Sequence, residues 1–129
     1  MASPAEAPVL AHPTRLRRII RSFGYAGEGL ALMLRSQPNF LVHIAAAALA
    51  LTLGVVLRLN PTELALIVLT IAMVLLIECV NTALETLCDL VSSEFHPMIK
   101  RAKDISAAAV LISATAAIGV AILLFAPHL

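Results

Sequence analysis

Tryptophan is absent from this chain, tyrosine occurs once and phenylalanine four times. So sparse an aromatic set leaves almost nothing to form the interfacial belt common in membrane proteins. Charge is thin as well: Asp, Glu, Lys and Arg make up 13% of the 129 residues, against about a quarter in ordinary soluble domains. With 60% hydrophobic residues and a mean hydropathy of +0.97, an ordinary soluble domain is excluded. What remains is a membrane bundle one domain in length. The two cysteines, Cys79 and Cys88, fall within one helical stretch, about 13 Å apart along its axis, and cannot bridge each other. No basic cluster interleaves with aromatics, which leaves no nucleic acid among the expected partners. The sequence also has no Gly-x-x-x-x-Gly-Lys loop and no protein-kinase signature, so a soluble-type nucleotide fold is not available.

What is present reads as an all-α membrane protein with three transmembrane helices and an amino-terminal amphipathic surface helix. Residues 1–13 hold three prolines and no periodicity, which predicts a disordered cap. They lack the basic and apolar regions of a secretory signal. Over 14–37, Arg15, Arg17, Arg18, Arg21 and Arg35 alternate with Leu16, Ile19, Ile20, Phe23, Leu30, Leu32, Met33 and Leu34, the pattern of a helix lying in the interface. Thr14 is its expected N-cap, and Gly24, Gly27 and Gly29 make a break in its middle an open question. The first span is expected at 39–58. A tight turn follows, Thr62 is placed to cap the next helix, and the second span covers 62–92. Those 31 residues would reach about 46 Å, well past the ~30 Å hydrocarbon core. Residues 93–104 then read as a charged loop, and 105–126 as a third span rich in Ala, which favours close packing.

Five arginines precede the first span, Arg58 alone sits in the first loop, and Lys100, Arg101 and Lys103 sit in the second. The positive-inside rule therefore places the amino terminus and the 93–104 loop in the cytoplasm. Into this frame falls one polar stripe. At about 100° per residue, Glu85 and Asp89 lie within about 20° of Glu78, and Asn81 about 60° away. Acidic side chains in lipid cost about 2.5–3.5 kcal/mol each on insertion scales, so they normally face a bundle interior or a wet site. Glu78 falls roughly two-thirds of the way across, and Glu85 and Asp89 reach the headgroups. A carboxylate at that depth can act as a general base for a lipid hydroxyl. A second one nearer the cytoplasm can hold Mg²⁺, with Arg18, Arg101 and Lys103 left to neutralise phosphates. Spacing by itself leaves three readings open: a phosphoryl-transfer site, a transport pathway, or a structural seam. Because the polar groups all run to the cytoplasmic end, an enzyme supplied from inside is favoured over a transporter or scaffold.

The motif Glu78-x-x-Asn81-Thr82-Ala83-x-Glu85-x-x-x-Asp89, with Ala102-Lys103-Asp104 and Ala108-Ala109-Val110-Leu111, resembles the small bacterial diacylglycerol and undecaprenol kinases. The resemblance extends upstream through Arg18, Gly24-Tyr25 and Gly29 and covers about residues 15–125. It implies a homotrimer in the bacterial inner membrane, with Mg-ATP as phosphate donor and a membrane lipid alcohol as acceptor. Residue by residue, it implies that Glu78 is the catalytic base and that Asn81 orients the reacting groups beside it. Glu85 matches a metal-binding glutamate. Arg18, Tyr25, Glu94, Phe95, His96, Lys103 and Asp104, along with Glu85, match positions lining the nucleotide site. Asp89 is expected to lie outside the chemistry, and His43 to be a packing residue. One departure is that Gln37 stands where the family usually carries a second metal-binding glutamate, so weaker Mg-ATP binding is expected. Asn39-Phe40-x-x-His43 and His96-Pro97-x-x-Lys100-x-Ala102-Lys103-Asp104 resemble the undecaprenol kinase branch more than the diacylglycerol branch.

Overall fold

Prolines mark where the long helices begin. In the computed structural model, which describes residues 14–92 and 94–129, α1 runs Arg15–Ser36, α2 Pro38–Val56, α3 Pro61–Val91 and α4 Pro97–Phe125. Each of α2, α3 and α4 opens on its proline, whose fixed φ suits the first turn and whose missing N–H would have had no helical partner there. A 3₁₀ turn, Ala126–His128, closes the chain, and no strand occurs among the described residues. The helices α2, α3 and α4 are each long and apolar enough to cross a membrane. The proposed cap at 1–13 lies outside the described residues.

The structure closes one open question and corrects two local expectations. The glycines do not interrupt α1, which is one helix of 22 residues. Thr14 takes the expected N-cap position, without a side-chain cap bond. At the start of α3 the cap is Asn60, not Thr62: the Asn60 side chain accepts from Thr62 N and Glu63 N, and the Glu63 carboxylate accepts from Asn60 N. This reciprocal box satisfies donors that would otherwise be left over at the helix end. Most of the expected 93–104 loop is helix. His96 Nδ1 accepts from Met98 N, Pro97 takes the first helical position, and α4 runs on through Lys100, Lys103 and Asp104.

Packing centres on α3, which lies most extensively against α4 and next against α2, while α1 packs on α2. The α2–α3 approach is tightest at Gly54, where an added Cβ would come within 3.0 Å of Leu64 and 3.3 Å of Ile67. Arg58, with φ +56°, turns the chain between these two helices and lets Leu59 tuck beneath them. Within the spans the hydroxyls are satisfied locally: Thr52, Thr70 and Thr115 each donate to the carbonyl four residues back. Such internal pairing is what a lipid environment demands. Large side chains such as Leu69, Leu76, Ile112 and Leu123 stay exposed around the helices. That belongs to spans that are apolar on every side.

Candidate functional site

The carboxyl-terminal half of α3 and the first turns of α4 bring the polar residues together. Glu78 is only 2% exposed, and its Oε2 has no hydrogen-bond partner among the described residues. Leaving a buried acceptor unpaired costs about 1–3 kcal/mol, and more for a charged group. The position therefore leaves an acceptor open to a donor from outside the chain. One turn nearer the α3 end, Asn81 Nδ2 donates to Glu85 Oε1 at 3.2 Å, which fixes which face of the amide is oxygen. Asn81 Oδ1 in turn accepts from Ser106 Oγ at 2.7 Å, across to α4. Ser106 Oγ is also 3.0 Å from Lys103 O; its single proton is best spent on the shorter contact.

Further out, Lys103 Nζ donates to Asp89 Oδ1 at 2.5 Å and joins α4 to α3 a second time. In the same turns, Lys100 pairs with Asp104. Beyond the end of α3, Glu94 N donates to Ser92 Oγ at 3.1 Å and shapes the link into α4. Because His96 Nδ1 accepts the Met98 N–H, the neutral ring carries its proton on Nε2, as a donor. These residues enclose a cavity of about 400 Å³ lined by Asp89, Glu94, Phe95, His96, Lys103 and Asp104. Polar side chains are thus spaced along α3 from the buried Glu78 through Asn81 and Glu85 to Asp89, which lines an open, charged cavity at one end of the bundle.

Five of the eight positions matched to the nucleotide site, namely Glu94, Phe95, His96, Lys103 and Asp104, share that cavity; Glu85 is outside its lining. So are Arg18 and Tyr25. They lie exposed on α1, and among the described residues no side-chain hydrogen bond or ion pair ties them to it. Two residues gain a place that the sequence did not assign. Asp89, expected outside the chemistry, pairs with Lys103 and lines the cavity. Ser106, read as part of the third span, is buried and links Asn81 to α4. Its only signal was its position three residues after Lys103, at the boundary between charged and apolar sequence.

For Mg²⁺, no group of three or more His, Cys, Asp or Glu side chains gathers among the described residues. Mg²⁺ is commonly held by one or two carboxylates with the remaining positions filled by phosphate oxygens and water. Glu85, carrying Asn81 on one oxygen, fits a metal that arrives with phosphates and does not by itself build a free-standing cage. Gln37 sits at the junction of α1 and α2, with its backbone N–H bonded to Met33 O and no side-chain cap bond. A separate apolar groove of about 310 Å³, lined by His43, Ala46, Ala50, Val74, Ala117 and Ala121, runs between α2, α3 and α4.

Comparison with known proteins adds an independent line. The family model described as prokaryotic diacylglycerol kinase matches residues 24–125. The undecaprenol kinase of Bacillus subtilis is 36% identical over 118 residues, covering 92% of this chain and 96% of that protein. A diacylglycerol kinase of Synechocystis is 35% identical, covering 98% of this chain and 76% of the relative. The diacylglycerol kinase of Escherichia coli K12 is 31% identical over 81% of this chain and 86% of its own length.

Proposed function

Because the chain belongs to the prokaryotic diacylglycerol kinase family, we propose that it transfers the terminal phosphate of ATP to the primary hydroxyl of a membrane lipid alcohol. The observation that carries this reading is the buried, partnerless carboxylate oxygen of Glu78 at the deep end of a row of polar side chains that ends at a charged cavity. A lipid hydroxyl reaches that depth from the bilayer, and a nucleotide reaches the cavity from water. In the proposed step the hydroxyl oxygen attacks the terminal phosphorus, the bond to ADP breaks, and Glu78 takes the hydroxyl proton. Such a base contributes about 10²–10⁴ in rate. Asn81, held between Glu85 and Ser106, orients the reacting groups. Mg²⁺ on Glu85 would offset phosphate charge during transfer. Lys103, Asp104, Glu94, Phe95 and His96 would hold the nucleotide from this chain. Arg18 and Tyr25 would join them from α1, in keeping with a homotrimer whose sites draw on neighbouring subunits. The whole described region would act as a single kinase domain in the bacterial inner membrane, with its amino terminus cytoplasmic.

Undecaprenol is the favoured acceptor and diacylglycerol the alternative. Identities of 36% and 35% to one kinase of each kind do not separate them. The preference rests on Asn39-Phe40-x-x-His43 and on the stretch from His96 to Asp104. The test is phosphate transfer by the purified protein in mixed micelles, with both lipids side by side. Wild type turns over at least one of them, and Glu78→Gln loses about two to four orders of magnitude on it. No turnover on either lipid by the folded protein overturns the kinase reading.

A further inference from the structure

Arg18 and Tyr25 aside, the amino-terminal half of α1 carries chemistry that the phosphoryl-transfer site does not use. Arg15, Arg17, Arg18 and Arg21 crowd its first two turns, no acidic residue occupies the first turn, and no ion pair among the described residues involves them. Arg17 and Arg21 stand four residues apart, a spacing at which like charges repel along a helix. The same cations face the positive end of the helix dipole. In isolation this half of the helix is electrostatically unfavourable and calls for external negative charge.

The apolar residues show where that charge must lie. On a helical projection Leu16, Ile19, Ile20, Phe23, Leu30 and Leu34 fall within an arc of about 100°. Arg15 borders the arc on one side and Arg17 on the other, while Arg18 and Arg21 stand on the opposite face. Leu16, Ile19, Ile20 and Phe23 are 54–75% exposed, so the protein does not cover them. A face that is oily in the middle and cationic along both edges matches a surface with hydrocarbon below and phosphates beside it. A second copy of α1 is a poor fit, because the helix holds five arginines against one acid, Glu28. A nucleic acid would leave the apolar arc in water.

We propose that α1 is a charge-selective docking surface for anionic phospholipid headgroups, with Arg15 and Arg17 as the selecting residues. This goes beyond an amphipathic helix resting at an interface. It makes the seating of α1 depend on which lipids surround the protein, and it stands independently of the kinase reading.

Hydrogen exchange on the full chain in nanodiscs, read by mass spectrometry over residues 15–23 without ATP or lipid alcohol, tests the proposal. Discs of phosphatidylcholine alone are compared with discs that also contain phosphatidylglycerol. An arginine near an anionic surface is worth about fivefold, so the two together slow exchange by on the order of twentyfold in anionic discs. Added salt shrinks that protection in the wild-type protein, a comparison that needs no variant to fold. The combined Arg15→Gln and Arg17→Gln variant loses the difference between lipids while exchange in α3 stays unchanged. Equal exchange in both discs overturns the proposal. So does protection that follows the number of protein copies per disc instead of lipid charge. Because exchange is read without turnover, an inactive protein leaves the result intact.

Discussion

Glu78 and Ser106 are the two polar side chains buried among the described residues, and they differ in how they are satisfied. Glu78 keeps an oxygen unpaired, whereas Ser106 spends its proton on Asn81. Ser106→Ala is expected to leave Asn81 Oδ1 without its partner and to lower kcat about three- to tenfold, the worth of one such bond, with Ser106→Thr retaining most of the rate. Gln37→Glu is expected to lower the Mg²⁺ concentration needed for half-maximal activity by adding the missing negative charge. A Mg²⁺ titration superimposable on wild type would remove Gln37 from the metal's surroundings. The α3 stripe was legible because a helix repeats every 3.6 residues and four polar side chains stood out against apolar neighbours. Ser106 was not legible, since a lone serine at the edge of an apolar run reads as ordinary span and its partner lies 25 residues away on another helix. The pairing of Asp89 was not legible for a related reason. Its cation, Lys103, was counted as part of a loop.

At the scale of the element, termini decide more than interiors do. Asn60 caps α3 through two backbone donors and receives Glu63 in return. Asn60→Ala is expected to cost about 1–2 kcal/mol, read as a lower midpoint of thermal unfolding in detergent. Glu63 also lies 3.9 Å from His128, so the same change loosens the hold on the chain's last turn. Turnover at low temperature should hold, because this cap sits at the opposite end of α3 from Glu85 and Asp89. Apolar length and proline positions made the three long helices readable in advance. The start of α4 was not, because its charged first turns break the apolar run and mimic a loop. The decisive signals were local ones, a histidine ring accepting a backbone N–H and a proline at the first position.

For the whole molecule, the arginines on one side and Arg58 nearly alone on the other argue for a fixed orientation in the bilayer. In a background freed of Cys79 and Cys88, Thr62→Cys should react with an impermeant thiol reagent in intact cells. Lys100→Cys should react only after the membrane is opened. The reverse pattern would place the charged cavity on the outer face, away from cytoplasmic ATP. The early start of α4 carries one more consequence, for which chain lengths the molecule can accept. From Pro97 onward, Lys103 and Ser106 ride on one unbroken rod with the apolar span. A single residue inserted between Lys103 and Ser106 turns one against the other by about 100° and separates them by a further 1.5 Å or so. Lys103 would swing off Asp89, or Ser106 off Asn81. The same insertion a few positions earlier, in the link before Pro97, leaves both pairings in register and costs the fold only tenths of a kcal/mol in loop closure, while shifting Glu94 or Phe95 within the cavity. The penalty for an added residue therefore changes in kind at Pro97, from displacing cavity side chains before it to breaking the links between α3 and α4 after it.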